Sequence, residues 1–255
     1  MKVALIQTSL FWEKPEENRA HFEGIIDSIV ESVDLIVLPE MFTTGFTMNP
    51  TKIAESMEGN TVVWLKSIAV RKSSAITGSV IIKENGGYFN RLLFVFPSGK
   101  VETYDKRHLF TLAGEKNAYK AGKSKVIINY KGFKICPLIC YDLRFPVFSR
   151  NVEEYDLLLY VANWPETRIN AWDILLRARA IENQCFTIGV NRSGEDHNQL
   201  LYNGHSQAID FLGNYLLEPQ SEAGVFIVEL DKNQMVSSRK NLDFLSDKDA
   251  FTLLE

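Results

Sequence analysis

The pattern of apolar and polar positions divides the chain into short apolar runs of strand length, separated by amphipathic stretches of helix length. Nine runs carry the strand signal: KVALIQT, DLIVLPE, AITGSVII, RLLFVFP, FKICPLIC, DLLLYVAN, CFTIGVN, SQAIDFLG and GVFIVELD. Many are continuously apolar rather than alternating, which predicts strands covered on both faces. Between them, PEENRAHFEGIIDSIVESV places Phe22, Ile25, Ile26 and Ile29 on one helical face. NTVVWLKSIAVRK opens on Asn60, a residue type that caps a first turn. NAWDILLRARAIENQ directs Trp172, Leu175, Leu176 and Ile181 toward the core. Asn85-Gly86-Gly87 signals a hairpin within IIKENGGYFNRLLFVF, and Gly213-Asn214 signals another. Helix and strand alternate in the first third and again over residues 156–190, so the fold class is α/β with mixed sheets. No linker, low-complexity tract or repeat interrupts the pattern, and the reading is a single domain over residues 1–255.

Composition narrows this picture by exclusion. With 255 residues, 45% of them hydrophobic, the chain can bury a sizeable core. A formal net charge of −4 without a basic block lacks the footprint of nucleic-acid binding. The apolar runs fall far short of the ~20 residues that span a bilayer. The opening MKVALIQTSLFW has a lysine and then an apolar stretch, but QTS interrupts it and no small-residue cleavage site follows. It reads as a first core strand in a mature cytoplasmic protein. Three cysteines, an odd number, imply no disulfide framework and fit a reducing compartment. Cys136 and Cys140 lie in one strand-like run, roughly 13 Å apart along it, beyond the about 7 Å that a disulfide bridges. His21, His108, His197 and His205 fall in separate segments with no zinc-type spacing, so no metal is expected.

Three places then stand out for chemistry. In DLIVLPEMFTTGF a buried strand ends at Pro39 and presents Glu40 among Met41, Phe42 and Phe46. A carboxyl desolvated at a strand's carboxyl end is poised as a general base; the alternative is a solvated loop glutamate. Lys106 follows a hairpin strand within VETYDKRHLF, beside Asp105, Arg107 and His108, where a charge cluster is ordinarily a solvated face. Cys140 closes the apolar run FKICPLIC just before YDLRFP. Buried cysteines are ordinarily inert packing, which suits Cys136 and Cys185. A thiol at the end of a strand is instead held as a nucleophile, with the next backbone N–H available to an oxyanion. Together a thiol, a carboxylate and an ammonium form a set for covalent acyl transfer. Papain-type chemistry would need a histidine partner, for which only His108 lies near a marked segment. GHSQA imitates a serine-hydrolase elbow at Ser206, but QAIDFLGNYLLEP continues as a hairpin where the elbow needs a helix.

The ordered segments LPEMFTTGF, YDKRHLF and CYDLRFP, followed by YVANWP and RARAIENQ, resemble the nitrilase superfamily of carbon–nitrogen hydrolases over nearly the whole chain. The wording is most similar to omega-amidases, which hydrolyse the terminal amide of 2-oxoglutaramate and related ω-amides. The resemblance implies a four-layer α-β-β-α sandwich of two mixed sheets, commonly paired as a homodimer, and a small-molecule amide substrate with no metal or organic cofactor. It implies Glu40 as general base, Lys106 as stabiliser of the intermediate and Cys140 as nucleophile. Glu115, in HLFTLAGEKNAY, would hold Lys106 and steer the substrate amide. The Tyr141 backbone would help hold the oxyanion. Phe42, Phe46 and Trp164 are candidate pocket walls, and Arg168 is a candidate for a substrate carboxylate. Asp142 and Arg144 are expected to brace the nucleophile's turn. Other activities of the superfamily remain open, namely nitrilase, N-carbamoyl amino-acid hydrolase and another aliphatic amidase, as does a non-catalytic scaffold.

Overall fold

Continuous apolarity in the strands follows from what lies on each side of them. The computed structural model describes residues 1–253. Its elements begin with β1 (Lys2–Gln7), α1 (Pro15–Asp27), β2 (Leu35–Val37), α2 (Pro50–Ile53) and α3 (Asn60–Lys72). The antiparallel run β3 (Ala75–Glu84), β4 (Gly87–Val95) and β5 (Val101–Asp105) follows, then α4 (Glu115–Ala118). Next come β6 (Ile128–Tyr130), β7 (Phe133–Ile139), α5 (Pro146–Ser149), β8 (Leu157–Ala162), α6 (Ile169–Asn183) and β9 (Phe186–Asn191). The chain continues through β10 (Ser193–Glu195), β11 (Leu201–Asn203), β12 (Gln207–Ile209), β13 (Tyr215–Leu217), β14 (Gly224–Glu229) and α7 (Lys232–Asn241). Each of the nine apolar runs contains a strand.

Two six-stranded mixed sheets result, ordered β14-β1-β2-β3-β4-β5 and β13-β12-β9-β8-β7-β6. The centre of each is parallel, β1-β2-β3 in one and β7-β8-β9 in the other, and antiparallel strands flank both. Along the first sheet, successive residues serve different cores. Ala4, Ile6, Ile36 and Leu38 pack beneath α1 and α3 with Phe22, Ile26, Leu65 and Ile68. Val3, Leu5, Leu35 and Val37 join the other core, with Ile135, Leu138 and Leu159 of the second sheet. Burying each such side chain stabilises by about 1.5–3 kcal/mol, so both faces must be apolar. On the second sheet α6 lies so close to β9 that a Cβ at Gly189 would fall 2.5 Å from Leu176 and 2.6 Å from Trp172. Helix, sheet, sheet and helix make the four-layer α-β-β-α sandwich.

Local details correct some expectations. The hairpin at Asn85-Gly86 forms with both residues at positive φ, 48° and 70°, closing Glu84 on Gly87. The second hairpin joins β12 to β13. The pattern beginning at Pro15 stays helical only to Asp27, although Ile29 is still buried. Asn60 does not cap α3; Gly59 stands at the cap position, and the Glu55 carboxylate accepts the Thr61 N–H at 2.7 Å. A carboxylate brought in from the preceding segment satisfies the helix's free donors and its positive end better than a neutral amide. Ile181 is 51% exposed rather than in the core. Trp172, Leu176 and Ala180, spaced by four, take the sheet-facing stripe, and Ile181 turns toward the β12–β13 loop, against Gly213. No helix among the described residues is long and apolar enough to cross a membrane.

Candidate active site

The sandwich brings Glu40, Lys106, Glu115 and Cys140 together at one end of its sheets. Beyond β2 the chain turns through Leu38 and Pro39 to Glu40. Lys106 is the first residue after β5, Glu115 opens α4, and Cys140 directly follows β7. Glu40, Lys106 and Glu115 are wholly buried in their side chains. The Lys106 ammonium donates to Glu40 Oε1 at 2.9 Å and to both Glu115 oxygens at 3.1 Å. Its Nζ also stands 5.1 Å from the centre of the Phe46 ring. The remaining lone pairs are served too. The Asn163 backbone N–H donates to Glu40 Oε2 at 2.8 Å, and the Phe110 N–H donates to Glu115 Oε2. Charges taken out of water this completely need both an opposite charge and full hydrogen bonding.

Burial alone would discharge Lys106, but the Glu115 and Glu40 carboxylates outweigh it and hold the ammonium well above the ordinary lysine range. Burial raises Glu115, Lys106 opposes it, and the second carboxylate adds to the rise. The cluster holds two carboxylates against one ammonium, an electron-rich setting beside a thiol.

Cys140 sits at φ +45°, in the left-handed region that a β-carbon disfavours. The strain turns its side chain out of the strand direction at the start of the helical turn Cys140–Arg144. Its thiol points at the Asn163 carbonyl, 3.9 Å away. Burial and the Glu40 charge push the thiol well above its usual value, against Lys106, so it rests as a neutral thiol and needs a base to ionise. Cys136 and Cys185 are fully buried; Cys140 is half-buried and lines a cavity of about 540 Å³.

Of the expected pocket residues, Phe46, Tyr141, Trp164 and Arg168 line this cavity with Lys106 and Cys140. Phe42 does not. Its ring is fully buried against Phe22 and Trp64 in the core beneath α1 and α3, because the turn that follows Glu40 directs it toward those helices rather than the cavity. Asp142 braces the nucleophile's turn as expected, accepting the Ile139 N–H at 3.0 Å. Arg144 instead projects into the cavity, 4.9 Å over the Trp164 ring, and Arg168 lies 5.3 Å over the Phe110 ring. Neither arginine forms an ion pair with a carboxylate among the described residues. His108 faces Asp142, not the thiol, and Ser206 is wholly buried on Asn191 and Gln7.

Two members of the site escaped the sequence reading. Asn90 Nδ2 donates to Glu40 Oε1 at 2.8 Å and lies 3.4 Å from Glu115 Oε1, spanning both acids. The signal for it was a lone amide in YFNRLLFV, an apolar strand. Asn163 holds Glu40 twice, through its N–H and through Nδ2 to the Glu40 carbonyl at 2.6 Å, and its carbonyl receives the thiol. It lay within YVANWP but drew no role there.

A family model described as carbon-nitrogen hydrolase matches residues 2–240, and the chain belongs to that family. It is a hydrolase acting on carbon–nitrogen bonds. It is 44% identical over 255 residues to "Omega-amidase YafV" of Yersinia enterocolitica, covering 100% of this chain and 99% of that protein. It is 32% identical over 250 residues to "2-oxoglutaramate amidase" of Bacillus subtilis (strain 168), covering 96% of each. Among solved structures, a CN-hydrolase superfamily protein of Xanthomonas campestris with an arsenic adduct in its active site superposes with a TM-score of 0.97. It shares 43% identity over 100% of this chain and 99% of that one.

Proposed function

We propose that the protein is an omega-amidase, cleaving the terminal amide of a short dicarboxylic-acid ω-amide such as 2-oxoglutaramate through a cysteine thioester. The observation carrying this reading is the buried Glu40–Lys106–Glu115 cluster beside a half-buried thiol at the floor of a cavity. Glu40 takes the proton of Cys140 as sulfur attacks the amide carbon. The oxyanion is held by the Lys106 ammonium and the Tyr141 backbone N–H. Glu40 returns the proton to the departing ammonia, then deprotonates the water that cleaves the thioester and frees the acid. Glu115 keeps Lys106 charged and aimed. Arg168 is assigned to the distal carboxylate, and Phe46 and Trp164 to the pocket walls. The proposal includes a cytoplasmic homodimer and needs no metal or organic cofactor.

Ammonia release from a panel of ω-amides, neutral amides, nitriles and N-carbamoyl amino acids tests the substrate class, with fastest release expected from the carboxylated ω-amide. Hydroxylamine tests the intermediate: a thioester partitions to a hydroxamate, and intact mass shows an acyl adduct on Cys140. Absence of both at saturating hydroxylamine would favour direct attack by water.

A further inference from the structure

Asp142 and His108 join the segment carrying the cation to the turn carrying the nucleophile. Asp142 lies two residues after Cys140, and its wholly buried carboxylate receives four donors, two on each oxygen. Oδ2 accepts the Tyr104 hydroxyl at 2.7 Å and the Ile139 N–H at 3.0 Å; Oδ1 accepts the His108 N–H at 3.0 Å and faces His108 Nδ1 at 2.7 Å. Ile139 precedes the strained Cys140, so Asp142 grips the chain on both sides of it. Tyr104 and His108 sit two residues before and after Lys106. The 2.7 Å contact is read with His108 Nδ1–H donating to the Asp142 carboxylate. The imidazole is itself clamped, stacked 3.7 Å from the Phe145 ring at 5° and edge-on to Phe148 at 5.2 Å.

We infer that His108 is a positioning residue for the amidase reaction, fixing through Asp142 the separation between the Lys106 ammonium and the Cys140 sulfur. This rests on the proposed roles of Lys106 and Cys140. The oxyanion forms between those two groups, and acylation needs both at once. Loss of the Nδ1–H···Oδ1 bond lets the Cys140 turn shift against Lys106, which costs rate in the acylation step while leaving substrate binding largely untouched.

His108→Phe keeps the ring stacked on Phe145 and removes only the donor, whereas His108→Asn restores a donor without the stack. In the full chain, His108→Phe is expected to lower kcat about 10²-fold with KM within about threefold at temperatures well below its melting point, which the lost hydrogen bond to buried Asp142 lowers only modestly. His108→Asn should recover most of the lost kcat. Tyr104→Phe, which strips one donor from the other oxygen at constant volume, should show a smaller loss of the same kind and serves if His108→Phe does not fold. Wild-type kcat in His108→Phe, or in Tyr104→Phe where that variant stands in, overturns the inference. So does a kcat loss in both His108 variants that tracks their melting temperatures. A wild type inactive on every amide would instead sink the proposed amidase function.

Discussion

The two sheets share a strand plan and divide the labour. In β14-β1-β2-β3-β4-β5 and in β6-β7-β8-β9-β12-β13 the neighbours run antiparallel, parallel, parallel, antiparallel, antiparallel. The two sheets contribute different chemistry to the site. On the first sheet's side stand Glu40, Asn90 and Lys106, with Glu115 close behind, buried and paired with one another. On the second stand Cys140, Asn163 and the cavity's Trp164 and Arg168. The Lys106 ammonium is already shared between two carboxylates, which leaves it little to offer a ligand's own carboxylate. Two arginines resting on aromatic faces without a carboxylate have more to offer. Under the proposed mechanism, the first side would move protons and supply the cation for the oxyanion with any substrate, and the second would attack and select.

That division is broken most sharply at Cys140, where the halves meet. Cys140→Ala should abolish turnover of every amide, a loss on the order of 10⁴-fold or more, with the melting temperature kept. Iodoacetamide should label Cys140 ahead of the fully buried Cys136 and Cys185; equal labelling of the three in native protein would undo the assignment.

Next in size is Lys106→Met. Losing an oxyanion donor costs ~10²–10³ in kcat, equally for carboxylated and neutral amides. The variant also strands two buried carboxylates, a loss of about 3–5 kcal/mol by the precedent of broken buried pairs. The pH dependence has a definite sign. Lys106 is held above its unfolded value, so its contribution is complete below about pH 10 and fades as pH rises toward the folded value. Without it, Glu115, already raised by burial and no longer opposed by the cation, is left to bind a proton in the folded state, so the deficit relative to wild type should shrink on acidification from neutral pH. A deficit constant from pH 8 to 5, read by denaturant unfolding, would show that the carboxylates do not depend on this cation.

The chemistry was far more legible than the architecture that assembles it. Glu40 and Cys140 each stop an apolar run, where polar residues stand out; Lys106 follows the polar strand VETYD within a charge cluster, and only the resemblance singled it out. The duplicated strand plan left no repeat in the sequence, because strands covered on both faces all read as undifferentiated Val, Ile and Leu. Phe42 and Ile181 were misplaced for a related reason: among so many apolar residues, only packing decides which side is core. Asn90 went unread because an amide within a strand shows its purpose only once two carboxylates from distant segments converge on it. Arg144 and Asp142, two residues apart, were given one role, yet the turn sends the carboxylate inward and the guanidinium into the cavity.

The smallest expected effect sharpens the comparison most, because it falls on one substrate class only. If the second side selects, Arg168→Ala should weaken use of a carboxylated ω-amide by ~1.5–3 kcal/mol, the strength of a charge-assisted hydrogen bond. Arg168 is half-buried and, among the described residues, its guanidinium rests on the Phe110 face alone, so the free protein loses little stability and the cost appears when substrate binds. A neutral amide of equal length never used the contact and should be hardly affected. The quantity to measure is the ratio of kcat/KM for carboxylated over neutral amide, wild type over variant. Arg144→Ala provides a control within the same cavity. A full effect at Arg144 with none at Arg168 would move the carboxylate to the nucleophile's own turn and keep selection on the second side. A ratio near one in both, with a wild type that strongly prefers the carboxylated amide, would place selection elsewhere and break the division.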